Sequence, residues 1–317
     1  MPSELPLIVH LDRDTMGGVP IPRPAAPHRW VEHSRTNPAD VVPRLAGASV
    51  AVINKVKLDA ATLAQLPELK LIAVTATGTD VVDSAAAERL GIRVRNVVGY
   101  AGVSVAEHVT MLLLALVRGL VQHRESVLDG RWSNGGQFVV FAAPIRDLSS
   151  LRLGLIGSGA IAQQVAERAR ALGMDVVFAA RKGAEPSDGK LAFREVLATS
   201  DVLSLHCPLT ADTRHLLNAE TLGWLKPGAF LINTARGALI DETALEAALD
   251  SGQVGGAGLD VAPIEPPPAD APILRLARRS NVIVTPHAAW ASREAVEALA
   301  ARTGETISEF LRVPVSA

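Results

Sequence analysis

Thiols are almost absent from this chain, which has one cysteine, Cys207, in 317 residues. That excludes an internal disulfide and any zinc or iron–sulfur site built from several thiolates, and Cys207 reads as a small buried apolar residue. Dense Lys/Arg runs are also missing. With a formal net charge of −2 there is no electrostatic footprint for nucleic acid or for an anionic membrane, so a small-molecule partner is expected. The longest charge-free apolar run near the middle, residues 109–117, falls far short of the about 20 residues needed to cross a bilayer and reads as a buried helix. The opening MPSELPLIVHLDRD lacks a basic segment leading into a long apolar one, which argues against a secretion signal and for a cytoplasmic protein. His10, His28, His33, His108, His123, His206 and His215 form no pair at metal-ligand spacing. No metal is expected, and these histidines read as structural or solvated. There is no internal repeat and no low-complexity tract.

What is present is a chain that can bury a large core. It is 48% hydrophobic and 20% charged, and its length suggests two domains. Short apolar runs recur near Leu7, Val50, Leu71, Leu153, Val176, Val202, Phe230, Leu259 and Val282, with helical segments between them. Runs that are apolar throughout, not at every second residue, predict parallel strands covered on both faces, hence an α/β class with doubly wound sheets. Ile161, Val165, Ala169 and Leu172 fall at helical spacing before GMD restarts a strand, which places a βαβ unit at residues 151–180. After a capping-type Ser292, residues Val296, Leu299, Ala300, Thr303, Ile307 and Phe310 share one helical face, predicting a final helix that packs on a sheet distant in sequence.

The βαβ unit carries a chemical motif. In LGLIGSGAIA, Gly157, Gly159 and Ala162 form G-x-G-x-x-A directly after a strand, with Ser158, Ala160 and Ile161 filling the turn and the first helical positions. Such a turn lets a pyrophosphate approach the backbone and meet free N–H groups at a helix start, so a dinucleotide site is expected. NAD sites normally carry an acidic residue about 20 positions further on. Here the second strand ends in Ala180, followed by Arg181 and Lys182. A guanidinium able to pair a 2′-phosphate favours NADP(H), with NAD(H) as the alternative and solvated loop charges as the bland reading of the two cations.

Three later strands end in polar chemistry: FLINTARGALIDE, GAGLDVAPIEPPP and VIVTPHAAWAS. The carboxyl ends of parallel strands face the binding crevice, so Arg236, Asp260, Glu265 and His287 are expected to converge. Hydride transfer from such a dinucleotide to a carbonyl leaves an alkoxide, so the site needs a fixed cation to polarise the oxygen and a proton donor. Arg236 fits the first role and His287 the second, with Glu265 stabilising the imidazolium. Taken singly, each could be a surface ion pair, a loop charge or a core histidine; their joint placement after three strands points to a site.

NTARGALIDE, LDV followed by EP, and TPH resemble the D-isomer-specific 2-hydroxyacid dehydrogenases. ATGTDVVD, VGYAGVSVAEH and TPHAAWASREA are most similar to the glycerate dehydrogenases, or hydroxypyruvate (glyoxylate) reductases, within that family. The resemblance implies two Rossmann-like or flavodoxin-like domains with the active site in the cleft between them. It implies a substrate domain at residues 1–98 and 288–317 and a nucleotide domain at residues 99–287. Arg236, Glu265 and His287 would be catalytic. Thr234, Ala235 and Asp260 would flank the nicotinamide, and Cys207, Pro208 and Thr213 the adenosine side. Ala76, Thr77 and Gly78, with Lys55 nearby, would hold the substrate carboxylate. A homodimer carried by the helix near Ser104 and by GRWSNGGQFVVFAAPI is also implied, with Trp132, Phe138 and Phe141 exposed. GVS at residues 102–104 and AP at residues 262–263 depart from the glycerate dehydrogenase pattern, which bears on the exact substrate more than on the reaction. The competing readings are a nucleotide-sensing corepressor on the same fold and a relative oxidising phosphonate or formate.

Overall fold

A computed structural model describes residues 5–312. Its contacts divide the chain into two compact units: the described residues up to Ala101 together with those from Ala291 onward, and Gly102–Trp290. The chain crossings expected from the sequence lie three residues before each of these.

The first unit is built on five parallel strands, β1 (Leu7–His10), β2 (Arg29–Glu32), β3 (Val50–Ile53), β4 (Leu71–Val74) and β5 (Arg93–Asn96), in the order β2-β1-β3-β4-β5. Every residue of β3 (VAVI) and β4 (LIAV) is buried, as a strand covered on both faces requires. The final helix, Arg293–Arg312, starts where the Ser292 hydroxyl accepts the Ala295 N–H at 3.2 Å. It buries Val296, Leu299, Ala300, Thr303, Ile307 and Phe310 and packs on β4, the distant sheet its apolar face predicted.

The second unit carries six parallel strands, β6 (Arg152–Ile156), β7 (Asp175–Ala179), β8 (Val202–Leu205), β9 (Ala229–Asn233), β10 (Val254–Leu259) and β11 (Val282–Val284), in the order β7-β6-β8-β9-β10-β11. Chain progression reverses between β6 and β8, which makes their carboxyl ends the switch point where ligands of open α/β sheets bind. The run at residues 109–117 lies in the helix Gly102–Val117, whose Val105, Ala106, Val109, Leu112, Leu113, Leu116 and Val117 are buried against β9, β10 and β11. Gly258 allows this close approach, because a Cβ there would sit 3.1 Å from that of Leu112. No single helix among the described residues is long and apolar enough to cross a membrane.

Candidate active site

The turn after β6 is shaped by what glycine permits. Gly157 has φ +103°, and a Cβ on it would lie 2.7 Å from the His206 carbonyl carbon and oxygen, so no other residue fits. Nothing lies within 4 Å of where a Cβ on Gly159 would be, and that open side exposes backbone. Gly159 begins the helix Ala160–Ala171, whose first turn no side chain caps. Its outward N–H groups and the helix dipole together form an anion cradle. Ala162, with no exposed surface, is the small residue that lets the helix sit close to the sheet. Ser158, Ala160 and Ile161 line this turn as the motif predicted.

Around the switch point the neighbouring strand ends continue the groove. At the end of β7, Ala180 is buried and donates its N–H to Leu191 O at 2.8 Å, while Arg181 and Lys182 are exposed in the turn that follows. The Lys182 ammonium lies 5.5 Å from the Trp224 ring, which also carries the Arg194 guanidinium at 5.1 Å. After β8, Thr213 Oγ1 donates to Pro208 O at 2.7 Å and accepts the Thr210 N–H at 2.7 Å, closing the loop that follows Cys207. Burial pushes the Cys207 thiol up, which removes it as a nucleophile. Burial likewise lowers His206 to about 4, and the neutral ring shares a 2.9 Å hydrogen bond with Ser204 Oγ.

The catalytic candidates follow three adjacent strands, β9, β10 and β11. At the end of β9 the Asn233 side chain accepts the Ala235 N–H (3.0 Å) and donates to Arg236 O (2.8 Å), which fixes the turn bearing Thr234, Ala235 and Arg236. Gly237 follows because any side chain there would run into the backbone of Ala262, so the Arg236 turn packs directly on the loop that carries Glu265. Thr234 Oγ1 is buried without a hydrogen-bond partner among the described residues, an orphaned polar atom beside the expected nicotinamide position. Glu265 is held at both oxygens: Oε1 accepts the Ala262 N–H at 2.9 Å, and Oε2 lies 2.5 Å from His287 Nδ1. His287 sits in the left-handed region at φ +54°, its N–H directed to Asp260 O (2.8 Å) and Thr285 O (3.0 Å). With Nδ1 engaged by a carboxylate, Nε2 is the nitrogen left for chemistry. About a quarter of each side chain is exposed, 26% for His287 and 29% for Glu265, enough to reach a small substrate.

Asp260 is turned inward. Its carboxylate has no exposed surface and accepts Thr285 Oγ1–H at 2.6 Å, Ala288 N–H at 2.9 Å and Ala289 N–H at 3.0 Å. It therefore anchors the turn that bears His287. Asn233 and Thr285 were overlooked in the sequence although they stand inside the NTARG and TPH motifs, because nothing in the pattern shows that their side chains brace the backbone.

In the first unit the substrate-loop candidates share one end of its sheet. Lys55 follows β3, and its N–H donates to the buried carboxylate of Asp12 at 2.7 Å, as does the backbone N–H of Asn54, shared between the two oxygens at 2.9 and 3.0 Å. Ala76, Thr77 and Gly78 follow the neighbouring β4; Ala76 O accepts the Val97 N–H, Thr77 Oγ1 donates to Val97 O at 3.1 Å, and Asn96 donates to Thr77 O. No group of three His, Cys, Asp or Glu side chains that could hold a metal ion exists among the described residues.

The model of a family described as D-isomer specific 2-hydroxyacid dehydrogenase, NAD binding domain, matches residues 110–289. The chain is 47% identical to a glycerate dehydrogenase of Methylorubrum extorquens, covering 96% of both proteins. It is 34% identical to a hydroxypyruvate reductase of Blautia hydrogenotrophica over 88% of the chain and 87% of that protein. Among solved structures, an acyclic imino acid reductase in complex with NADPH and D-Arg superposes with a TM-score of 0.80 at 29% identity, covering 96% of this chain and 97% of that one.

Proposed function

The chain belongs to the D-isomer-specific 2-hydroxyacid dehydrogenases, and from that membership we propose that it reduces hydroxypyruvate and glyoxylate with NADPH as the preferred donor. The activity of the class, NAD(P)-dependent reduction of a 2-oxo acid to a D-2-hydroxy acid, follows from the family. The observation that carries the reading of this site as a carbonyl-reducing one is the contact between His287 Nδ1 and a Glu265 carboxylate that is itself fixed by the Ala262 N–H, next to the packed turn bearing Arg236.

The open backbone at Gly159, the uncapped helix start and the orphaned Thr234 hydroxyl fit a dinucleotide. When bound, the reduced nicotinamide supplies a hydride to the substrate carbonyl carbon. The chain's own residues do the rest. Arg236 holds the substrate through a fork of N–H donors and polarises the carbonyl oxygen, where negative charge grows as the bond order falls. His287 Nε2 delivers a proton to that oxygen, and Glu265 balances the ring while holding it in one orientation. Ser158, Ala160 and Ile161 would hold the pyrophosphate through their backbone N–H groups, and Arg181, with Lys182 beside it, would pair a 2′-phosphate. The absence of a carboxylate at the end of β7 supports the choice of NADP(H) over NAD(H). The same reading makes the protein a cytoplasmic homodimer. Its support is a surface where Phe138 is 91% and Phe141 82% exposed, with Trp132 beside them donating to Phe138 O.

His287→Ala lowers kcat by about 100-fold or more and leaves the Kd for NADPH nearly unchanged; full turnover in the variant removes the imidazole from proton delivery. Arg181→Ala weakens NADPH by about tenfold or more and NADH far less, read from KM for both donors; equal losses defeat the NADP(H) assignment.

A further inference from the structure

His287 occupies a backbone conformation that L-residues rarely adopt, so something must hold its turn in place. The grip comes from one face of the helix Gly102–Val117. Ser104 Oγ donates to Ala289 O at 2.7 Å. Four residues on, one helical turn along the same face, His108 Nε2 lies 2.9 Å from Thr285 Oγ1 and 3.5 Å from Asp260 Oδ1. The direction of this chain can be deduced. A threonine hydroxyl has one hydrogen, and that of Thr285 points at Asp260 Oδ1 at 2.6 Å, so the hydroxyl oxygen is left to accept. His108 must therefore carry its proton on Nε2 and donate it. The resulting series runs from His108 N–H to Thr285 O–H to the Asp260 carboxylate, whose oxygens also receive the N–H groups of Ala288 and Ala289. The two residues after His287 are thus held at their N–H groups by Asp260, and the second of them also at its C=O by Ser104.

We propose that Ser104 and His108 are positioning residues for the reduction: through Thr285, Asp260 and the 288–289 backbone they aim the His287 ring so that Nδ1 meets Glu265 and Nε2 meets the substrate oxygen. Neither touches the reacting atoms. The inference rests on the reading of His287 as proton donor. With Thr285 oriented by His108, Asp260 keeps both its oxygens on the turn; without it, the hydroxyl rotates and the inward carboxylate loses its fixed partner. A displacement of the ring by a fraction of an ångström slows proton transfer while the pyrophosphate and adenosine side of the cofactor site, after β6, β7 and β8, is untouched.

The test compares His108→Ala, Thr285→Val and the double variant with the wild type, using NADPH and the best substrate of a panel of hydroxypyruvate, glyoxylate and pyruvate. Each single change lowers kcat by about 10- to 100-fold, raises the solvent deuterium isotope effect on kcat because proton delivery becomes limiting, and leaves the Kd for NADPH within about twofold. The double variant is no worse than the poorer single one, because both act along one path. His108→Gln and Thr285→Ser, which retain a donor and a hydroxyl, recover most of the loss and serve where the larger changes fail to fold. Wild-type kcat and isotope effect in folded His108→Ala, losses that multiply in the double variant, or no recovery in the conservative variants would overturn the proposal. His287→Ala, run alongside, separates the two ideas. If it retains turnover, the proton-donor reading fails; if it loses turnover while the His108 variants do not, only the positioning role fails.

Discussion

His206 is a histidine that the fold keeps uncharged: its ring is enclosed after β8, bonded to Ser204, and burial lowers it to about 4 from the usual 6.5. Between those two values the unfolded chain binds a proton that the folded chain refuses, so stability is fully present above pH 6.5 and falls as the pH drops from 6.5 toward 4. Urea titrations at pH 7 and pH 4.5 should therefore show a loss in the wild type that is smaller in His206→Gln; an equal loss in both would mean that this ring is not the acid-sensitive group. The same residue shows where sequence reading stops. His206 and His108 are each a lone histidine in an apolar run, and both were grouped with the structural ones. One packs its carbonyl against Gly157 and the other reaches Thr285, which is 177 positions away in the chain. Arg236, Glu265 and His287 stand out in the sequence because each follows an apolar strand with a residue type that packing alone does not call for.

At the scale of elements, nine of the eleven strands among the described residues were legible as apolar runs, and the two that were not share a physical reason. β2 (RWVE) and β5 (RVRN) are the outer strands of the first sheet, where one edge meets solvent and charge is admissible, so they lack the continuous apolar pattern of the inner ones. The final helix was found through its apolar face and its Ser292 cap. The β6–helix junction was readable because its chemistry leaves glycine no substitute. A Gly157→Ala variant combines a left-handed backbone with a Cβ pressed on the His206 backbone, neither of which a side-chain rotation can relieve. It should lose about 1–3 kcal/mol of stability and most of its NADPH affinity, measured by thermal unfolding and by fluorescence titration; wild-type affinity in this variant would show that the turn does not touch the pyrophosphate.

For the whole molecule, the exposed Phe138 and Phe141 give the proposed dimer a direct test. Phe138→Glu with Phe141→Glu puts two charges where apolar surface would be buried, and light scattering should then report the mass of one chain where the wild type gives two; a wild type already at one chain would end the dimer reading. The insertion of Gly102–Trp290 between the strands of the first sheet and the helix that covers β4 also has a temporal side. On a ribosome adding about 5–20 residues per second, roughly 10–40 s separate the emergence of that sheet from the emergence of its covering helix. During that interval the nascent sheet lacks the helix that packs on β4, while the inserted unit has every strand it needs. The part of the polypeptide made first is thus finished last, and a translational pause inside the insertion lengthens its exposure to chaperones and proteases.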